Sequence, residues 1–182
     1  MRNWLCVVIL ALAFLIAMAV FAYSFRPGPF AAKTVTISTI TEPDNQTAFV
    51  YNGKRVEGAV SGSVLGANSS MFGDLLVFKT YENELYMVDK KGLYLVSNNV
   101  IAYQMASYGG KIVYLNSVNE LYIFTCSNHK VKQIDYNVLS SNISISSGGS
   151  AVAYLKEETT GDVMYCYTGG KPEKYAEGRY PV

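Results

Sequence analysis

The chain has 182 residues, 50% of them hydrophobic and 13% aromatic, with a formal net charge of +1. That apolar content supports a packed core, and at 16% charged residues the chain is not a disordered polyelectrolyte. Only Arg2 is charged within residues 1–23, so the remainder balances 14 basic against 14 acidic side chains. Such neutrality, with no basic stripe, speaks against nucleic acid as a partner.

The first element is Trp4–Tyr23, 20 residues without a charge. At about 1.5 Å rise per residue, one helix of that length crosses about 30 Å of hydrocarbon. Arg2 and the terminal amine precede it, which favours an N-in, C-out transmembrane anchor. The same letters also read as a cleaved signal peptide, with Leu5–Ile16 as the apolar region and Ala17-Met18-Ala19 as a small-x-small site. Both readings of 1–23 export the rest of the chain. It is expected to stay tethered to the cytoplasmic membrane if uncleaved, and to be secreted if cleaved.

Residues 24–46 hold Pro27, Pro29 and Pro43 and the Thr/Ser-rich stretch Thr34–Thr41. They read as an extended stalk, with room for one edge strand at Thr34–Ile40. Next, Asn52-Gly53 separates the short runs Thr47–Tyr51 and Lys54–Glu57. Asn-Gly between two such runs is a strong hairpin signal. Residues 47–62 are therefore expected to form the outer hairpin of a partial repeat.

From there the chain repeats itself. Asn83-Glu84-Leu85-Tyr86 returns as Asn119-Glu120-Leu121-Tyr122, an offset of 36 residues (83 to 119). Leu76-Val77-Phe78 returns at that offset as Ile112-Val113-Tyr114, and Phe72-Gly73-Asp74 as Tyr108-Gly109-Gly110. A looser third copy matches Ile112-Val113-Tyr114-Leu115 with Val152-Ala153-Tyr154-Leu155, and Glu120-Leu121-Tyr122-Ile123 with Asp162-Val163-Met164-Tyr165. A fixed period near 40 with strand-like content points to propeller blades. The predicted blades are 63–98, 99–136 and 137–177, with 178–182 opening another.

Each repeat accommodates four strands, in the second copy about Val100–Ser107, Lys111–Asn116, Glu120–Cys126 and Lys130–Tyr136. Gly73-Asp74, Gly109-Gly110 and Gly148-Gly149 supply the positive φ that tight turns need. Ile112–Leu115 and Leu121–Phe124 are apolar throughout, the pattern of strands covered on both faces. Leu85, Leu121, Val77 and Val113 are thus expected between sheets, with Glu84 and Glu120 in solvent.

The recurring pattern is a turn of Gly with Gly or Asp, an apolar strand ending in an aromatic, then an acidic residue followed by Leu-Tyr. It resembles the TolB-like β-propeller repeats over about 63–182. The matching positions are Gly73-Asp74 with Glu84-Leu85-Tyr86, Gly109-Gly110 with Glu120-Leu121-Tyr122, and Gly148-Gly149 with Asp162-Val163-Met164. The chain lacks the Trp-Ser-Pro strand of well-known members and is similar to membrane-anchored bacterial propeller proteins. The resemblance implies a fold and leaves the ligand open.

The fold class expected is all-β: an incomplete β-propeller of about three four-stranded antiparallel blades, preceded by one N-terminal transmembrane helix. A ring usually needs four to eight blades. The repeats therefore read as a fragment of a longer protein with further blades in cis, as an open arc completed by another chain, or as another all-β stack such as a solenoid.

Motifs of chemistry are sparse. The one histidine, His129, reads as a solvated loop residue beside Lys130, and Cys6, Cys126 and Cys166 form no metal or redox motif. Glu157-Glu158 reads as a solvated turn rather than an acid/base pair. No phosphate-binding loop, calcium loop or nucleophile elbow is present. The sequence therefore offers no catalytic, cofactor-binding or metal-binding residue, and no cofactor is expected. The tyrosine-rich strands read as packing between sheets or as the lining of a sugar or peptide groove.

The function expected is a non-enzymatic, membrane-tethered, extracytoplasmic platform for a protein or glycan ligand, held to the membrane by residues 4–23. The alternative is an accessory propeller of an exported hydrolase or peptidase whose catalytic domain lies beyond residue 182.

Overall fold

The structure, a computed structural model, describes residues 35–61, 64–159 and 161–177. The predicted anchor at 1–23, most of the predicted stalk and residues 178–182 lie outside the described residues. Those that are described form strands and turns, with no helix among them.

Four antiparallel sheets follow in chain order. The first has three strands, β1 (Ile37–Thr41), β2 (Gln46–Tyr51) and β3 (Lys54–Ser61). The second is β4 (Val64–Ser69), β5 (Leu76–Thr80), β6 (Leu85–Val88) and β7 (Leu93–Ser97). The third is β8 (Val100–Met105), β9 (Lys111–Asn116), β10 (Leu121–Thr125) and β11 (Lys130–Asp135). The fourth is β12 (Val138–Ile145), β13 (Val152–Glu158), β14 (Gly161–Tyr167) and β15 (Glu173–Glu177). Within every sheet each strand pairs with its neighbour in sequence, as short turns require.

The first sheet extends the expected hairpin. β1 pairs along its whole length with β2, from Ile37 opposite Tyr51 to Thr41 opposite Thr47. Residues 37–41 are thus the edge strand for which the sequence left room at Thr34–Ile40, and they add a third strand to the expected hairpin. Proline content drew the stalk assignment, but Pro43 sits in the turn after β1, where its missing N–H costs the ladder nothing. Asn52 and Gly53 both adopt positive φ, 48° and 77°, so the turn between β2 and β3 has the conformation that Asn-Gly favours.

The sheets stack face to face, and side-chain alternation sends successive residues into opposite seams. On β9, Ile112 and Tyr114 pack against the second sheet, while Val113 and Leu115 pack against the fourth. On β10, Tyr122 and Phe124 face the second sheet, Leu121 and Ile123 the fourth. On β5 and β6, Val77, Leu85 and Met87 face the third sheet, and Phe78 and Val88 face the first. Leu85, Leu121, Val77 and Val113 are all fully buried. Continuous apolar runs in the sequence are these doubly covered strands.

Three features recur in each four-stranded sheet. A tyrosine on the third strand (Tyr86, Tyr122, Tyr165) lies opposite an aromatic on the second (Phe78, Tyr114, Tyr154). The paired rings are stacked with centroids 5.5, 5.3 and 5.9 Å apart. The pairing with the fourth strand slips immediately before that same tyrosine, a bulge that sharpens local twist. These coincidences align Tyr165 with Tyr122, one residue from where the letters align it, because β13 and β14 run on to pair Glu158 with Gly161.

Asparagine does the joining. Asn83 and Asn119 hold left-handed conformations with φ of 63° and 61°, a region tolerated by Asn better than by most side chains. Each then turns its carbonyl to the next sheet: Val100 N–H donates to Asn83 at 2.8 Å, and Val138 N–H to Asn119 at 3.1 Å. Asn99 and Asn137, just before β8 and β12, are left-handed too. Their carbonyls accept from Ser117 and Glu157 N–H.

Candidate binding surface

The acidic residue of the repeated tetrapeptide is held rather than free. Tyr86 donates its hydroxyl to Glu84 at 2.9 Å, and Tyr122 donates to Glu120 at 2.7 Å. Asn116 adds a second donor to Glu120 at 2.8 Å. Both glutamates are half-buried, correcting the expectation of full exposure. The Tyr122 bond, helped by Asn116, holds the Glu120 carboxyl below the usual carboxylate range. In return, Glu120 first and burial second push the Tyr122 hydroxyl up to about 12.

The third and fourth sheets are latched by a charged group. Asp135, at the end of β11, is 9% exposed. It accepts from the Lys156 ammonium at 2.7 Å, from the Tyr154 hydroxyl at 2.7 Å, and from the backbone N–H of Tyr136 at 2.9 Å. Lys156 also lies over the Tyr136 ring, 4.2 Å from its centroid. Burial, then the bond to Asp135, drives the Tyr154 hydroxyl well above the ordinary tyrosine range. A buried ion pair adds little over an apolar pair of the same volume, but losing one partner leaves the other uncompensated.

The sequence-marked residues do not converge. The His129 side chain, in the turn after β10, is exposed, with its ring 4.3 Å from that of Tyr94 and 5.8 Å from that of Phe124. Cys126 and Cys166 are free thiols, and burial pushes the Cys126 thiol up to about 12, away from reactive thiolate chemistry. Glu158 closes strand β13 rather than lying in a turn, and accepts from Tyr165 and from Lys174. Among the described residues, no group of His, Cys, Asp and Glu side chains is placed to hold a metal ion.

What does gather is an apolar patch that the repeat pattern obscures. The turns between first and second strands stand side by side, joined by Met71 N–H to Ser107 carbonyl at 2.7 Å and Tyr108 N–H to Ser147 carbonyl at 3.0 Å. On this turn face Met71, Phe72 and Tyr108 are 66%, 58% and 55% exposed. Phe72 and Tyr108 stack on one another with centroids 6.2 Å apart. Gly109 behind them cannot be replaced cheaply: its φ is 77° and a Cβ would lie 3.0 Å from Ser70. Tyr81, Tyr136 and Tyr175 are exposed as well, and what marks Phe72 and Tyr108 is that they are exposed together, ring on ring. The repeats did place Phe72 over Tyr108 at one offset, a signal that structural periodicity masks.

Beside the patch, on the same turn face, a cleft of about 330 Å³ opens between the third and fourth sheets, with Lys111 and Lys132 in its wall. A second cleft of about 390 Å³ lies at the opposite strand ends, beside Asn119, Asn137, Glu157 and Glu158.

No protein-family model and no curated protein matches the sequence. Solved structures do match. The tricorn protease superposes with a TM-score of 0.52 at 11% identity, over 81% of this chain and 20% of that one. A putative TolB from Agrobacterium tumefaciens superposes with a TM-score of 0.50 at 13% identity, over 80% of this chain and 64% of that one. TolB from Acinetobacter baumannii gives 0.48 at 14% identity, over 88% and 45%. The chain spans less than two thirds of each. Identity this low shows the fold alone, and that fold is the stacked antiparallel sheets of a β-propeller.

Proposed function

We propose that the chain is a non-enzymatic β-propeller platform that binds a protein or glycan through its turn face, outside the cytoplasmic membrane and tethered by residues 4–23. The observation carrying this reading is the stacked, exposed pair Phe72 and Tyr108 beside Met71. Three large apolar side chains left together in water are costly unless something covers them. Rigid aromatic rings on a scaffold lose little entropy on binding, which suits them to be anchors. The uncharged run Trp4–Tyr23 supports the tether.

The test pairs the parent protein with a Phe72→Ser/Tyr108→Ser variant, both exposed to an extract of the source cells and to a glycan array. A ligand retained by the parent and lost by the folded variant is the expected result. Equal retention by both proteins contradicts the proposed face. Protease treatment of intact spheroplasts tests the tether: digestion of the propeller is expected, and protection contradicts export.

A further inference from the structure

The cleft between the third and fourth sheets has a one-sided chemistry. Lys111, Ile123, Thr125, Lys132, Ser150 and Tyr167 line it, and no carboxylate is among its lining residues. The described ion pairs, Arg55–Glu42, Lys156–Asp135 and Lys174–Glu158, use neither of its lysines. Two ammonium groups thus share one cleft with no carboxylate in its lining.

Both lysines are positioned. Lys132 donates to the Tyr167 hydroxyl at 2.8 Å and to the Gly169 carbonyl at 3.4 Å, and lies 5.1 Å from the centroid of the Tyr167 ring. An ammonium has three N–H donors, so one remains for a ligand. The stem of Lys111 runs beneath Gly149, where a Cβ would come within 3.1 Å of its Cβ and Cδ. That leaves its head group as the mobile part. Hydroxyls of Thr125 and Ser150 add further donors.

We infer that this cleft binds a carboxylate, and that its ligand is the acidic side chain of a protein segment lying across the turn face, an inference that rests on the platform reading above. Charge and donor supply call for an anion. A phosphate takes lysine point charges too, but is commonly held by a nest of backbone N–H groups beside them. Here the lysines are point charges, and a backbone carbonyl, that of Gly169, is directed at one of them. Ile123 and Tyr167 give an apolar wall against which the stem of a Glu or Asp can lie. The neighbouring Phe72–Tyr108 stack would take the apolar residues flanking it.

The experiment titrates the full chain, in detergent, with a blocked short peptide carrying one glutamate, followed by NMR of the lysine side-chain CH₂ signals. Its glutamine counterpart, galacturonate and inorganic phosphate are the comparison probes. The glutamate peptide is expected to shift the Lys111 and Lys132 signals saturably, and the glutamine peptide to leave them in place. Lys111→Gln and Lys132→Gln should each weaken binding by roughly tenfold, the loss expected for one charge-assisted hydrogen bond, while Lys132→Arg retains it. Equal shifts with the glutamine peptide overturn the inference, as does saturation by phosphate or galacturonate at lower concentration than by the peptide. If a ligand lost on Phe72→Ser binds the Lys111→Gln/Lys132→Gln protein unchanged, the cleft inference fails and the platform stands. If the glutamate peptide binds the cleft but no ligand depends on Phe72 and Tyr108, the platform fails and the carboxylate site stands.

Discussion

Tyr165 donates its hydroxyl to Glu158 on the adjoining strand β13, whereas Tyr122 donates to Glu120, two residues before it on the same side of the hairpin turn. The same tyrosine position thus finds a carboxylate in both sheets, from different places in the sequence. Hairpin extension explains it: β13 and β14 run on to pair Glu158 with Gly161, and the position that Glu120 fills is held by buried Val163 within β14. A tyrosine whose ring is sealed in an inter-sheet seam needs an acceptor for its hydroxyl, and a carboxylate at the rim supplies one.

Alkaline titration of the second tyrosine tests that pairing. Tyr122 sits at about 12, held there first by its bond to Glu120. A raised pKa contributes stability that is fully present below the ordinary tyrosine range near 10 and is lost as pH rises through about 12. Phenolate absorbance should show a late-titrating class, and Glu120→Gln should bring Tyr122 downward. Tyr122 titrating unchanged in Glu120→Gln would contradict the pairing.

Acid works with the opposite sign. Glu120 and Glu158 are both lowered, chiefly by bonds from Tyr122 and Tyr165. Their contribution is present above the ordinary carboxylate range and is lost as pH falls through the lowered values. Tyr122→Phe and Tyr165→Phe should therefore flatten the acid limb of stability measured by urea titration at a series of pH values.

Removing one member of the buried latch should be severe. Asp135→Ala leaves the Lys156 ammonium and Tyr154 hydroxyl without their shared acceptor, at a cost of about 3–5 kcal/mol in denaturant unfolding. Replacing Asp135 and Lys156 together by apolar residues should recover most of it. A loss under about 0.5 kcal/mol for Asp135→Ala would mean that solvent already reaches the pair.

Equivalent positions in different sheets should respond unequally. Leu121 is fully buried between sheets, and its counterpart Met164 is 40% exposed. Leu121→Ala should cost about 2–5 kcal/mol, and Met164→Ala should stay within about 0.5 kcal/mol. Equal losses would contradict the one-residue shift that aligns Tyr165 with Tyr122.

Much of this architecture is written in periodicity. The offset between Asn83 and Asn119 reflects one sheet stacked on the next, and the unbroken apolar run Leu121–Phe124 reflects two seams filled by one strand. Local turn chemistry is equally direct at Asn52-Gly53 and at Gly109, where positive φ calls for these residue types. Pairings across sheets are harder to read. Asp135 meets Tyr154 and Lys156 through inter-sheet geometry that no local pattern encodes. The strand β1 is legible only as room for an edge strand in a proline-flanked, polar segment, because an edge strand buries little. Asn83 carries its repeat signature for a backbone reason, a left-handed φ and a carbonyl given to Val100, which composition alone does not reveal. The lysine pair of the cleft, Lys111 and Lys132, lies on β9 and β11 of one sheet, distant in sequence and brought to one face by the pairing of β10 between them.

The turn face is tested most directly by placing a photo-crosslinking amino acid at Tyr108 of the full chain in its source cells. A discrete adduct is expected at position 108, absent from a control at the exposed outer-strand residue Val131 and lost when Phe72→Ser is added. An adduct no stronger at 108 than at 131, or one indifferent to Phe72→Ser, would contradict the claim that this face is where the protein binds.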